Sequence, residues 1–339
     1  MKYSSLIFIF LLGQLCIKAQ SPVDGLEKIS KEFTLINKKY VEYQSTMAHS
    51  DNAKKAEQKR QALLNQLVQS QSAIAQITPY QNDPMLQKGI SDYLKLMEYS
   101  MNEDYTKMVN MKQIAEESYD KMEMYMQVKN QVSEKMEKAS EAMSQVQKDY
   151  CKKYNIQLVE TTTELDKQIE AIGQVARYTD KLQLIFLKCS FLDEDLVEAI
   201  GKKNINETEQ LRSAMQQYAE EGLRILDTMQ AFKGDRSLIN ACKKSMQFFK
   251  EQSQKSADFT ELFTQQDNFN RIKQQFESDK SKQSDKDAVK KYNDAVDAMN
   301  KAINKSNKTM ESINQARKET YDNWNNANKQ FLDKHVPLV

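Results

Sequence analysis

The chain has 339 residues, 29% of them charged and 40% hydrophobic, and its 49 basic and 48 acidic side chains leave a formal charge of +1. Charge this close to neutral, with both signs interspersed, excludes the strongly basic face of a nucleic-acid binder. Only 7 Gly, 4 Pro and 2 His are present, which leaves few chain breakers and almost no imidazole for metal or triad chemistry.

The first element is a leader. Lys2 is followed by the apolar block Leu6 to Leu12 and then by Ile17-Lys18-Ala19. The block is far shorter than the roughly 20 apolar residues a membrane span needs, and it carries the flanks of a secretory signal peptide. Cleavage is expected after Ala19, making residues 1–19 the signal peptide and placing the mature chain outside the cytoplasm. Cys16 offers the alternative of a lipid-acceptor cysteine. No later segment has the length or apolarity of an anchor. Loss of Lys2 and Lys18 leaves 47 basic and 48 acidic residues. Cys151, Cys189 and Cys242 remain, an odd number at apolar helical positions, where small buried hydrophobes are expected. One disulfide plus a spare thiol is the alternative in an oxidising compartment.

Beyond the leader, helical periodicity is almost unbroken. Ser21-Pro22-Val23-Asp24 combines a capping hydroxyl, a first-turn proline and an acid. Arg60, Leu63, Leu67, Ser70, Ile74 and Ile77 follow a 3/4 spacing, widened by Leu64 and Val68. Asp83-Pro84 signals another helix start. Val132, Met136, Ala139, Met143, Val146 and Tyr150 give the clearest seam. Thr161 to Glu164, Asn204 to Glu207 and Ser284 with Asp287 have capping spacing. The pattern predicts eight helices, near 22–48, 52–78, 84–111, 116–154, 162–201, 206–231, 236–278 and 285–334. The fold class is therefore all-α, and the stripe width suits bundles of antiparallel helices.

Sliding the chain by 152 residues aligns Glu57-Gln58 and Arg60 with Glu209-Gln210 and Arg212. The same shift aligns Tyr80-Gln81-Asn82-Asp83 with Phe232-Lys233-Gly234-Asp235, Leu86 with Leu238 and Ile90 with Cys242. A further landmark pairs Lys148 to Tyr154 with Lys329 to His335. Two tandem four-helix repeats are expected, residues 20–157 and 158–339, the second with longer third and fourth helices.

At the aromatic-x-Gly/Asn-Asp turns, the aromatic third helix and the endings Phe331-x-x-Lys-His and Tyr150-x-x-Lys-Tyr, the chain resembles a family of exported bacterial surface proteins of unknown function, named after a leptospiral member. The leader, ending Ala19-Gln20, is similar to those of exported proteins from Bacteroidota-type bacteria. The resemblance implies a helical protein of the envelope or surface and no reaction.

Candidate chemistry is sparse. A di-iron bundle needs Glu-x-x-His pairs, but Thr46 stands three residues before His49 and Leu332 before His335. No pair of His four residues apart, no close Cys pair and no Gly-x-Ser-x-Gly occurs, so no catalytic, cofactor or metal residues are expected. Ten of the 17 Met lie between residues 85 and 143. Their mostly helical spacing reads as core packing, with Cu(I) binding through clustered thioethers such as Met122, Met124 and Met126 as an alternative. Phe248, Phe249, Phe259, Phe263, Phe269 and Phe276 thicken the third helix of the second repeat as a packing face. Phe248, Phe249 and Trp324, the last on an Asn-rich face, are the candidate partner contacts. The expected function is that of a non-catalytic exported protein binding a protein or surface partner, without nucleic acid. A membrane-active helical protein is an alternative.

Overall fold

The computed structural model describes residues 21–50, 52–104, 119–159 and 161–339. The leader, Cys16 and, from the Met-rich stretch 85–143, Met108 and Met111, whose thioethers belong to the Cu(I) alternative, lie outside the described residues. Nine α-helices are present among the described residues, and the fold is all-α: α1 Pro22–His49, α2 Ala53–Ala75, α3 Met85–Tyr99, α4 Tyr119–Lys153, α5 Glu164–Gly201, α6 Ile205–Thr228, α7 Ser237–Lys255, α8 Ala257–Glu277 and α9 Lys286–His335. A π-helical turn, Ser100–Asp104, prolongs α3.

The start signals act as their chemistry requires. Ser21 accepts from Val23 N–H at 3.2 Å while Asp24 accepts from Ser21 N–H at 3.0 Å, a reciprocal cap that satisfies orphan donors ahead of Pro22. Asn52 Oδ1 accepts from Lys55 N–H at 3.1 Å to open α2, and Asn204 Oδ1 accepts from Glu207 N–H at 3.3 Å to open α6. Between α2 and α3 the chain reverses through Gln81 (φ 51°) and Asn82 (φ 56°), and between α6 and α7 through Lys233 (φ 49°) and Gly234 (φ 85°). Two consecutive left-handed residues make such a turn tight, and Asn and Gly tolerate that region best. An aspartate closes each turn: Asp83 Oδ1 accepts from Met85 N–H at 3.0 Å, Asp235 Oδ1 from Ser237 N–H at 2.8 Å.

The expected helix 236–278 is two helices, parted at Ser256. Ser253 Oγ donates to Lys250 O at 2.7 Å, and Phe259 N–H reaches back only three residues to Ser256 O. Serine hydroxyls that compete for helical carbonyls loosen the ladder, a local effect that hydrophobic spacing does not register.

The chain divides into two compact units. The first comprises the described residues up to Asp180 together with Lys329–Val339, and the second is Lys181–Asn328. The expected boundary at 157/158 lies in the link between α4 and α5, whereas the division falls within α5 and α9. Side chains of early α5 and the end of α9 pack in the first unit: Lys129 Nζ binds Asp180 at 2.7 Å, and Tyr178 stacks on Phe331 at 5.4 Å.

In the first unit α1, α2, α3 and α4 enclose one core, built on Phe33, Ile36, Leu63, Leu67, Leu94 and Tyr150. Met143 and Tyr150 of the predicted α4 seam are buried, whereas Met136 is only half-buried. Asp83 also receives Lys153 Nζ at 2.8 Å and Tyr154 OH at 2.9 Å, which ties the α2/α3 turn to the end of α4. The Lys153 hydrogen bond, then the Met85 amide, hold the Asp83 carboxyl below its ordinary range. Gly89 lets α3 approach α4, since a Cβ there would lie 2.8 Å from Val146 Cγ1 and 3.1 Å from its Cβ. Val146 is stiff at χ1 and cannot swing aside. Gly89→Ala is therefore expected to destabilise the protein by about 1–3 kcal/mol of overpacking, against which the helix-propensity gain is about 1 kcal/mol. A melting temperature above that of the parent would show that the helices separate without cost.

Candidate functional site

The polar centre of the second unit is Asp193 on α5, with only 2% of its side chain exposed. Arg317 of α9 grips it in a fork, Nε donating to Oδ2 at 2.8 Å and Nη2 to Oδ1 at 2.9 Å. Gln252 of α7 donates Nε2 to Oδ1 at 2.5 Å, and Tyr321 OH donates to Oδ2 at 3.3 Å. Burial, then the Asp193 charge, push the Tyr321 phenol far above its ordinary range, so it remains a donor. A buried carboxylate with four donors from two helices is a well-satisfied ion pair rather than a free acid or base.

Aromatic rings line this centre. Trp324 stacks on Phe186 at 4.7 Å and 11°, Phe249 lies 5.9 Å from Phe186, and Phe248 lies 5.3 Å from Phe249. Trp324 is 3% exposed, and Phe248 and Phe249 are buried with it. The expectation that these three contact a partner is thereby corrected. The Asn-rich run Asn323 to Asn326 suggests a solvent face by composition, but one side of a 50-residue helix can be buried while its neighbours stay wet. Phe248 and Phe249 follow the packing reading given for the third helix.

An arginine reaches the third helix of each unit at an irregular turn. Arg60 binds Glu57 through Nε at 2.8 Å and Nη2 at 2.7 Å, and its Nη1 donates to Met101 O at 2.8 Å inside the π-turn. Arg212 binds Glu209 through Nε at 3.2 Å and Nη2, and its Nη1 lies 3.5 Å from Ser253 O. Guanidinium groups here supply donors to backbone carbonyls.

The sulfur groups are inward. Cys151, Cys189 and Cys242 are free and buried. Burial pushes the Cys151 thiol up to about 11 and that of Cys189 to about 12, and burial followed by the neighbouring Cys189 raises Cys242 still further. Cys189 Sγ is 3.8 Å from Met246 Sδ. Of the Met-rich stretch, Met126 and Met143 are buried and Met97 and Met101 pack against the first core, whereas Met124 is 59% exposed. Among the described residues no group of three or more His, Cys, Asp or Glu is placed to hold a metal ion. His49 instead binds Asp333 Oδ1 through Nδ1 at 3.0 Å and lies 3.1 Å from Val336 O through Nε2.

The polar surface most distinct from these cores is the antiparallel pairing of α8 with the first half of α9. Phe259 and Phe263 pack with Ile313 at its base. Lys305 joins Asp258 at 2.9 Å and Glu261 at 3.0 Å across the pair. Farther along, Tyr292 stacks on Phe276 at 4.8 Å and lies 6.0 Å from Phe269, and all three rings are half-buried. Asn268, Lys290, Asp294 and Ala298 line a shallow groove beside them. The 7-residue spacing of Phe269 and Phe276 is visible in sequence, but their partner Tyr292 lies across a turn and is found only by folding the chain.

Comparison with known proteins gives no match among family models, curated proteins or solved structures. Among the described residues no helix is long and apolar enough to cross a membrane.

Two outcomes are expected here. Asp193→Asn should destabilise by about 3–5 kcal/mol, because Arg317 is left without its counter-charge. Denaturant unfolding checks this, and a change below 1 kcal/mol would show the pair to be solvated. The three thiols should resist a disulfide reagent at pH 8 in the native protein and all react in guanidinium; fast native labelling of Cys189 or Cys242 would contradict their burial.

Proposed function

We propose that this is a non-catalytic, exported helical protein of the bacterial envelope or surface. It contacts its partner through the α8–α9 pair rather than through Trp324, Phe248 and Phe249. The observation that carries this reading is the half-buried ladder of Phe269, Phe276 and Tyr292. Aromatic rings with an exposed edge on a polar, mixed-charge surface are the side chains that serve best as interface anchors. Export is supported by the apolar leader, Leu6 to Leu12 between Lys2 and Ala19.

We infer as well that the two units descend from one duplicated four-helix segment. The support is positional: at a separation of 152 residues, Asn52 and Asn204 cap, Asp83 and Asp235 close turns, Gln81-Asn82 and Lys233-Gly234 take left-handed backbone, and Arg60 and Arg212 meet the third helix. Heptad similarity alone would not reproduce caps and left-handed pairs at a constant offset.

The test is affinity capture with residues 20–339 against envelope and culture-supernatant fractions of the source, read by mass spectrometry, in parallel with Phe269→Ala/Phe276→Ala. One saturable partner, bound by the parent and weakened at least tenfold in the variant at unchanged helicity, is expected. A partner captured equally by both proteins would move the contact elsewhere, and the absence of any saturable partner would remove the interaction reading.

A further inference from the structure

The third helix of each unit is interrupted at the point where a Glu-x-x-Arg pair of the second helix meets it. Glu57, Arg60 and Met101 in the first unit, and Glu209, Arg212 and Ser253 in the second, stand at one constant offset of 152 residues. Arg60 Nη2 binds Glu57 at 2.7 Å while its Nη1 donates to Met101 O at 2.8 Å, inside the π-turn Ser100–Asp104. Arg212 Nε binds Glu209 at 3.2 Å, and its Nη1 lies 3.5 Å from Ser253 O. Each guanidinium thus meets a carbonyl where the regular ladder fails. A π-turn displaces amides from their usual acceptors four residues back. At the second joint Ser256 N–H still reaches Gln252 O at 2.9 Å, Phe259 N–H reaches only Ser256 O at 3.1 Å, and among the described residues no backbone amide crosses to Ser253 O.

In the second unit the pair spans the joint. Arg212 stands over the last turn of α7, and Glu209 is in hydrogen-bond contact with Thr260 in the first turn of α8. The Arg212 hydrogen bond, ahead of that from Thr260, holds the Glu209 carboxyl below its ordinary range. A helix end rich in free carbonyls favours a cation and one rich in free amides favours an anion, so each charge lies at the end that suits it. A continuous helix through Ser256 has neither end there, and the pair would lose both contacts. The pair therefore favours the interrupted form over the continuous one, which is the condition for setting a two-state equilibrium.

The continuous form is otherwise well supported. Phe249, Gln252, Ser256, Phe259 and Phe263 are all buried, and their 3/4 spacing runs through the joint without a change of phase. The two helices can therefore join without a change of apolar face, and joining returns an amide to Ser253 O. We propose that the α7/α8 joint is a hinge between an interrupted and a continuous third helix, held in the interrupted state by the Glu209–Arg212 clamp. Glu57 and Arg60 are the same clamp on the π-turn of the first unit.

Amide hydrogen exchange in the full chain, residues 20–339, tests this at Ala257 and Asp258, whose acceptors in a continuous helix would be Ser253 O and Gln254 O. Arg212→Met keeps the apolar stem of a side chain that is 24% exposed and removes the clamp. The expected result is exchange slowed by about tenfold or more at these two amides, measured relative to the amides of α5, as they enter the ladder. Glu209→Gln, which withdraws the charge from the start of α8, should shift both amides in the same direction by a smaller factor, and it carries the test should Arg212→Met not fold. Exchange at Ala257 and Asp258 that is unchanged or faster in the variant shows that the joint is set by its own serines and overturns the proposal.

Discussion

The second unit depends on one carboxylate that is paired out of water. Asp193 is nearly inaccessible, and moving an unpaired carboxylate to such a place costs several kcal/mol even after relaxation. Arg317 is the partner that makes it tolerable, because its planar fork engages both oxygens. That engagement fixes the rotation of α9 about its axis. With Arg317 turned towards α5, Tyr321 and Trp324, four and seven residues on, are turned the same way, and the rings Phe186 and Phe249 meet them. A rotation of α9 by one residue, roughly 100°, would strand the carboxylate and expose the indole together. Apolar seams on long helices slide at little cost, whereas a buried ion pair does not; here the charge supplies register and the rings supply area.

Among its described residues the first unit has no ion pair equivalent to Asp193–Arg317 in its core, and the fixed points there lie at the ends. The reciprocal Ser21 cap, the left-handed Gln81-Asn82 turn and the three donors on Asp83 hold α1, α3 and α4 by their termini, while the interior is Phe, Leu, Ile and Tyr. Tyr150 OH donates to Pro22 O at 3.1 Å, so even the end of the α4 seam is joined to the start of α1 by a directional bond. The two units thus share turn and cap chemistry and differ in how they define helix register.

Much of this was legible in the chain. Seven expected helices begin or end within a few residues of the observed ones, because capping side chains and left-handed turn residues act over three or four positions. The joint at Ser256 was not legible, since an apolar 3/4 pattern passes through it unbroken and the cause is competition by serine hydroxyls. Trp324 was misread for a related reason: composition averages around a helix, whereas burial follows one face. Phe248 and Phe249 were ambiguous in sequence and resolve as core only once Phe186 is brought beside them. The Asp193–Arg317 pair, 124 positions apart, carries no local signature at all. The same holds for Tyr292 beside Phe276.

These differences bear on where a partner can act. The Trp324 cluster and the Asp193 network are occupied by each other, and exposing them would forfeit the burial and pairing that hold the second unit together. The α8–α9 pair is built otherwise. Its base is fixed by Phe259, Phe263 and Ile313, its flank by Lys305 between two acids, and farther along its buried positions thin to Ile272, Ala295 and Ala302. Two helices alone cannot fully cover rings the size of Phe269, Phe276 and Tyr292, so each keeps an accessible edge. Adding an apolar surface there would bury area that the chain itself leaves uncovered, at no cost to either core.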